Sequence, residues 1–232
     1  MSADSEDRGH VSPGAAPWRL DLPGAVVHKL SVSDMDNNVY LVGCTVTGQR
    51  LLVDAADDAP RILDLLRETA PQADPDGTLL GQVVTTHQHW DHHRALAAVV
   101  EATGATTLAG AEDADALPVR VDRRLADGDT VAVGDLRLDV VGLRGHTPGS
   151  VALALTAGGD VPRTVILTGD SLFPGGPGRT PDQAAFTSLM DDLEARVFGM
   201  YDDAALVLPG HGDNTTLGQE RPHLAGWRAR GW

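Results

Sequence analysis

The sequence predicts one sheet-rich α/β domain, and three observations carry that prediction. Strand-length runs of β-branched and aliphatic residues recur at 25–30, 39–46, 50–53, 79–86, 106–109, 130–133, 136–141, 164–169 and 205–210. Between them, segments 60–70, 94–103 and 181–197 space their apolar residues as amphipathic helices packing on a sheet do. With 232 residues, 42% of them hydrophobic and 22% charged, the chain can bury a substantial core without dividing. The expectation is a flexible tail over 1–17 and a single domain over 18–232.

Each element has a local reason. The first two strands flank Ser33-Asp34-Met35-Asp36-Asn37-Asn38, a cluster of turn formers. Strand 50–53 ends at Asp54, which reads either as a helix cap or as a group orienting a neighbouring ligand. Helix 60–70 shows Ile62, Leu63, Leu65 and Leu66 on its apolar side, and 71–77 is a Pro- and Asp-rich loop. Helix 94–103 stops at Gly104. The acidic stretch Glu112, Asp113 and Asp115 suggests no chemistry. Gly134-Asp135 turns 130–133 into 136–141 as a hairpin. Phe186, Leu189, Met190, Leu193 and Val197 form a core-facing stripe on helix 181–197. Segment 217–232 closes the chain as a short helix whose Trp227 covers the sheet.

Strand 79–86 delivers the most informative stretch, Thr86-His87-Gln88-His89-Trp90-Asp91-His92-His93. His87 and His89 are two apart, so both side chains leave one side of an extended backbone, close enough to hold a single ion. A turn at Trp90 would direct Asp91 and His92 to a second position. Four ligand-type side chains in so short a run exceed one open tetrahedral site, so a pair of ions is the natural reading. Three other strand ends supply further ligands: His146 in Gly145-His146-Thr147-Pro148-Gly149, Asp170 after 164–169, and His211 after 205–210. Asn38 is a candidate substrate contact, with turn chemistry the alternative reading. Arg179, in the Gly- and Pro-rich loop after Asp170, is placed to hold an anionic group at the mouth of the site.

Composition excludes several classes. The 33 acidic residues against 18 basic ones give a net charge of −15, which repels phosphate backbones and argues against nucleic-acid partners. Cys44 is the only cysteine, so no intrachain disulfide forms; a buried thiol in a reducing compartment is expected. Segment 1–17 lacks an apolar core of signal-peptide type and no run is long enough to span a bilayer, so the expected location is cytoplasmic, as a monomer or homodimer. No G-x-S-x-G occurs and Cys44 is remote from every motif, which leaves metal-assisted chemistry.

The ligand motifs resemble those of the metallo-β-lactamase-fold hydrolases. His87 to His92 matches the H-x-H-x-D-H signature, and Gly145-His146-Thr147-Pro148-Gly149, Thr168-Gly169-Asp170-Ser171-Leu172-Phe173 and Pro209-Gly210-His211-Gly212 match the later motifs in order. With Trp90 and Leu172-Phe173, the chain is most similar to the glyoxalase II (hydroxyacylglutathione hydrolase) branch. The resemblance implies a four-layer αββα sandwich with two divalent ions at one edge, zinc first, iron or manganese as alternatives. One ion would take His87, His89 and His146, the other Asp91, His92 and His211, with Asp170 bridging. It implies a hydrolase in which water between the ions ionises near neutral pH and attacks a small thioester, ester or lactone carbonyl, oriented by Asp91 and Asp170.

Departures from the pattern sharpen the expectation. The β-lactamases proper carry Cys or Ser where Asp170 stands, which argues against antibiotic hydrolysis. Glyoxalase II continues past the position of His211 into a helical domain that supplies much of its glutathione site, whereas 21 residues follow His211 here, so another small thiol is open. His93-Arg94 replaces small residues and makes the rim bulkier and more basic, with His93 a candidate substrate contact. Gly178-Arg179-Thr180 is similar to the persulfide dioxygenase branch, which binds one iron through the equivalents of His87, His146 and Asp170; that oxidoreductase is the alternative.

Overall fold

The strands are buried on both faces, and this dictates the layering. In the strand 37–44, Val39 and Leu41 face one apolar cluster while Tyr40 and Val42 face another. In 163–169, Val165 and Leu167 alternate in the same way with Ile166. With a side-chain period of two, each such strand needs a covering layer on either side.

The computed structural model describes residues 9–70, 80–159 and 162–231. The first sheet holds, in spatial order, β1 (Trp18–Leu22), β2 (Ala25–Val32), β3 (Asn37–Cys44), β4 (Arg50–Val53), β5 (Leu80–Thr85), β6 (Thr106–Gly110) and β7 (Arg123–Leu125). Its first four strands pair antiparallel, and β4 to β7 run parallel. Helices α1 (Ala59–Glu68) and α2 (Leu96–Thr103) make the crossovers and cover its outer face through Ile62, Leu65, Leu66, Leu96 and Val99.

The second sheet contains β8 (Thr130–Val133), β9 (Leu136–Gly142), β10 (Val151–Ala157) and β11 (Arg163–Gly169) as an antiparallel meander. A two-stranded ribbon, β12 (Leu172–Phe173) with β13 (Gly176–Pro177), leads to α3 (Gln183–Asp192), capped by Asp182 and continued by a π-helical turn over Leu193–Phe198. Then β14 (Leu206–Pro209) adds parallel to β11, β15 (Thr215–Thr216) pairs with β14, and α4 (Leu217–Glu220) and α5 (Leu224–Arg230) finish the described chain. Val27, Tyr40, Leu51 and Val84 of the first sheet meet Leu138, Leu153, Val165 and Leu208 of the second, while Phe186, Leu189, Leu193 and Trp227 cover the second sheet's outer face. The four αββα layers agree with the expected fold.

Differences from the expected elements have local causes. Asn37 and Asn38 open β3 rather than close a turn, because the reversal uses Ser33 and Asp36 at positive φ. Helix 181–197 begins only after the Asp182 cap, and the closing helix is broken by a 3-10 turn at Arg221–His223 containing Pro222. The strands β1, β7 and β10 were not anticipated. The inner end of the expected tail is docked: Val11 is buried, Gly9 O accepts a bond from Lys29 Nζ (2.9 Å), and His10 pairs with Asp213. Cys44 is a buried free thiol. The loop expected over 71–77 and the start of strand 79–86 lie outside the described residues. Among those described, no helix is long and apolar enough to cross a membrane.

Candidate metal centre

Parallel pairing puts the C-terminal ends of β4 and β5 together in one sheet, and those of β11 and β14 together in the other. Asp54, His87, Asp170 and His211 follow these ends directly. A bond from Val151 N to Thr86 O (2.9 Å) and one from Asn38 N to Gly210 O (2.7 Å) tie the two sheets along that edge. The 3-10 turn Trp90–His92 then carries Asp91 and His92 back over it.

Three overlapping groups of possible ligands converge there: His87, His89 and His146; His87, His92 and Asp170; and Asp91, His92 and His211. Asp170 lies at the centre, with carboxylate oxygens 3.3 Å from His92 Nε2, 3.6 Å from His146 Nε2 and 3.4 Å from His211 Nε2. Asp91 Oδ2 is 3.3 Å from His211 Nε2 and accepts a bond from Asn37 Nδ2 at 3.0 Å. A Cβ on Gly210 would collide with Asp170 Oδ1 and approach His92 Cε1, so only glycine lets β14 close this near the centre.

The imidazoles are held from behind. His92 Nδ1 donates to Asp54 (2.8 Å), His211 Nδ1 to Met35 O (2.8 Å) and His146 Nδ1 to Arg179 O (2.6 Å). His87 Nδ1 lies 3.1 Å from Thr86 Oγ1, whose own proton goes to Asp54. Each of these four rings therefore presents Nε2 inward, the arrangement that fixes a metal-ligating tautomer. His89 presents Nδ1, 3.1 Å from His87 Nε2. His146 Nε2 and Asp170 Oδ1 are buried without hydrogen-bond partners. Nitrogen facing nitrogen and orphaned buried donor atoms around a carboxylate suit a cationic guest, so these residues fit divalent ions.

The electrostatics point the same way. Burial and the neighbouring imidazoles hold His87 well below its ordinary value, as burial does His89. Burial resists charge on Asp170 and Asp91, yet bonds from His211 with His92 or Asn37 hold both carboxyls below the usual range. Burial also opposes charge on His92 and His211, but Asp54, Asp170 and Asp91 outweigh it and push each to about 10.

A cleft of about 500 Å³ opens beside the first group, lined by Gln88, His89, His146, Thr147, Arg179 and Thr180. Arg179 is exposed at its mouth, where expected. Asn38 is not at the rim: its side chain is buried and Nδ2 donates to Pro209 O and Gly212 O, so Asn37 is the asparagine that reaches a ligand. His93 Nε2 bonds back to Gln88 O (3.1 Å), bracing the ligand loop. Trp90, 58% exposed, carries the Arg94 guanidinium 4.5 Å above its ring. Asp54 orients His92 as anticipated, whereas the helix cap is Asp58. Asp113 was passed over by the sequence reading, yet it is wholly buried and accepts bonds from Gln88 N, Thr147 Oγ1 and Gly149 N. Those partners lie 25 to 36 residues away, so no local pattern marks it.

The metallo-beta-lactamase superfamily model matches residues 32–211. The chain is 34% identical over 175 residues to the hydroxyacylglutathione hydrolase of Jannaschia sp. (strain CCS1), covering 75% of this chain and 59% of that protein. It is 36% identical over 152 residues to that of Ruegeria pomeroyi, covering 64% and 54%. The chain thus spans between about half and three-fifths of the curated relatives it matches. Among solved structures, ETHE1 from Myxococcus xanthus is similar with a TM-score of 0.69 and 31% identity, covering 86% of this chain and 84% of that one. TTHA1623 in a di-iron-bound form is similar with a TM-score of 0.62 and 27% identity, covering 83% and 96%.

Proposed function

Because this chain belongs to the metallo-β-lactamase superfamily, we propose that it is a dinuclear metal-dependent hydrolase of small thioesters, with esters or lactones chemically adjacent. The observation that carries the reading is Asp170 set among His92, His146 and His211, with a complete ligand group on either side. His87, His89 and His146 would hold one ion, Asp91, His92 and His211 the other, and Asp170 both.

Two divalent ions so held supply a nucleophile from water at neutral pH and an electrophile for the carbonyl. The chain's own residues do the rest. Asp170 and Asp91, both ionised, orient water towards the carbonyl carbon and accept its proton. Asn37 keeps Asp91 in place. A thiolate leaves without a general acid, its pKa being about 8.5, which accounts for the lack of one at the mouth of the cleft. Arg179 there suits an anionic group on the thiol portion.

The relatives named hydroxyacylglutathione hydrolase support thioester chemistry, and the di-iron TTHA1623 supports room for two ions in this fold. Gly178 to Thr180 and the likeness to ETHE1 favour a second reading, a mononuclear-iron persulfide dioxygenase. Elemental analysis with a thioester panel separates them. Near two ions per chain, usually zinc, and thioester turnover are expected. One iron per chain with oxygen consumed on adding a persulfide would overturn the hydrolase.

A further inference from the structure

The fold supplies two buried carboxylates behind the centre, and they grip different halves of it. Asp54 accepts bonds from Thr86 N, Thr86 Oγ1 and His92 Nδ1, so it acts where β5 ends and on one group containing His92. Asp113 follows β6, touches no candidate ligand, and serves the other group. Its Oδ2 accepts the backbone N–H of Gln88 (3.0 Å), which sits between His87 and His89, and the hydroxyl of Thr147, next to His146. Its Oδ1 accepts the backbone N–H of Gly149 (2.8 Å).

No basic side chain among the described residues pairs with Asp113, although it is wholly buried. A buried carboxylate is costly unless several donors converge on it, so these three bonds are what make the position tolerable. The backbone is shaped to permit them. A Cβ on Gly149 would collide with the backbone nitrogen of Asp113, and one on Gly110 would collide with Gly149 O. The ligand loops of β5 and of the β9–β10 connection, separated by more than fifty residues, are thus joined through one side chain.

We propose that Asp113 is the positioning residue that sets the His87/His89/His146 half of the metal centre, a role resting on the dinuclear reading above. It holds His89 and His146 at the spacing one ion requires, as Asp54 does for His92. An asparagine of the same volume cannot replace it. Donors reach both oxygens, so in either amide orientation the NH2 group faces a donor.

The test is a competition titration of the metal-free protein with zinc against a chromophoric chelator. For Asp113→Asn, the affinity of one equivalent falls about 10- to 100-fold while the other is unchanged. On a His89→Ala background the same substitution costs nothing further, whereas on a His211→Ala background its full effect persists. Equal weakening of both equivalents, or of neither, overturns the assignment. Should Asp113→Asn lose its near-ultraviolet circular dichroism, Thr147→Val removes one donor and must show the same selective loss in smaller measure; an unselective loss there overturns it too. Wild-type protein that takes one ion only sinks the dinuclear reading instead, and Asp113→Asn must then weaken that single ion or the positioning role falls.

Discussion

His92 shows how a single residue is tuned from behind. Its Nδ1 is committed to Asp54, so Nε2 alone faces the centre, 3.2 Å from His211 Nε2. Removing the acceptor without changing shape should lower metal affinity: Asp54→Asn is expected to weaken binding at Asp91, His92 and His211 about 10- to 100-fold, read by zinc competition. Proton linkage gives a second expectation. In the metal-free protein His92 and His211 lie at about 10 against an ordinary 6.5. Their contribution to stability is therefore complete below pH 6.5 and lost as pH rises towards 10. Asp91 and Asp170, held below their ordinary 3.8, contribute above that pH and lose the contribution as it falls through their folded values. The melting temperature of the metal-free protein should fall between pH 6.5 and 10, and a flat profile there contradicts this account. Metal uptake at pH 7 must displace at least one proton shared by the two rings, measurable by calorimetry in buffers of different ionisation enthalpy.

At the level of elements, the site depends on strand ends and the stability on strand middles. Leu153 sits in the centre of β10, wholly buried between the sheets and remote from the ligand loops. Leu153→Ala should cost about 2–5 kcal/mol of unfolding free energy in urea while leaving metal stoichiometry intact. Gly210→Ala is the converse case: its Cβ would press on Asp170 and His92, so metal binding should suffer before the fold does. The sequence made most of these elements legible. The hairpin 130–133 with 136–141 and strand 50–53 sit where the turn signals and apolar runs put them. β10 did not stand out, because a run buried on both faces lacks alternation and its pairing partners lie on either side in the chain. β7 is three residues long and gains strand geometry only by adding to β6.

For the whole molecule, ligands drawn from both sheets mean that an ion cross-links them. Metal binding to the folded state alone should stabilise the protein, by about 2.7 kcal/mol for an ion present at 100 times its Kd. Chelation should lower the melting temperature accordingly, and an unchanged value would separate the ions from the fold. The seven ligand positions were readable because each is a His or Asp immediately after an apolar run, and strand ends are where a packed sheet exposes side chains. Residue type and spacing alone carried that information. What tertiary structure decided was which groups stand behind the ligands. Asn37 rather than Asn38 reaches Asp91, and Asp113 joins two loops, because cross-sheet hydrogen bonds and glycine contacts choose partners by proximity in space, which residue order does not encode.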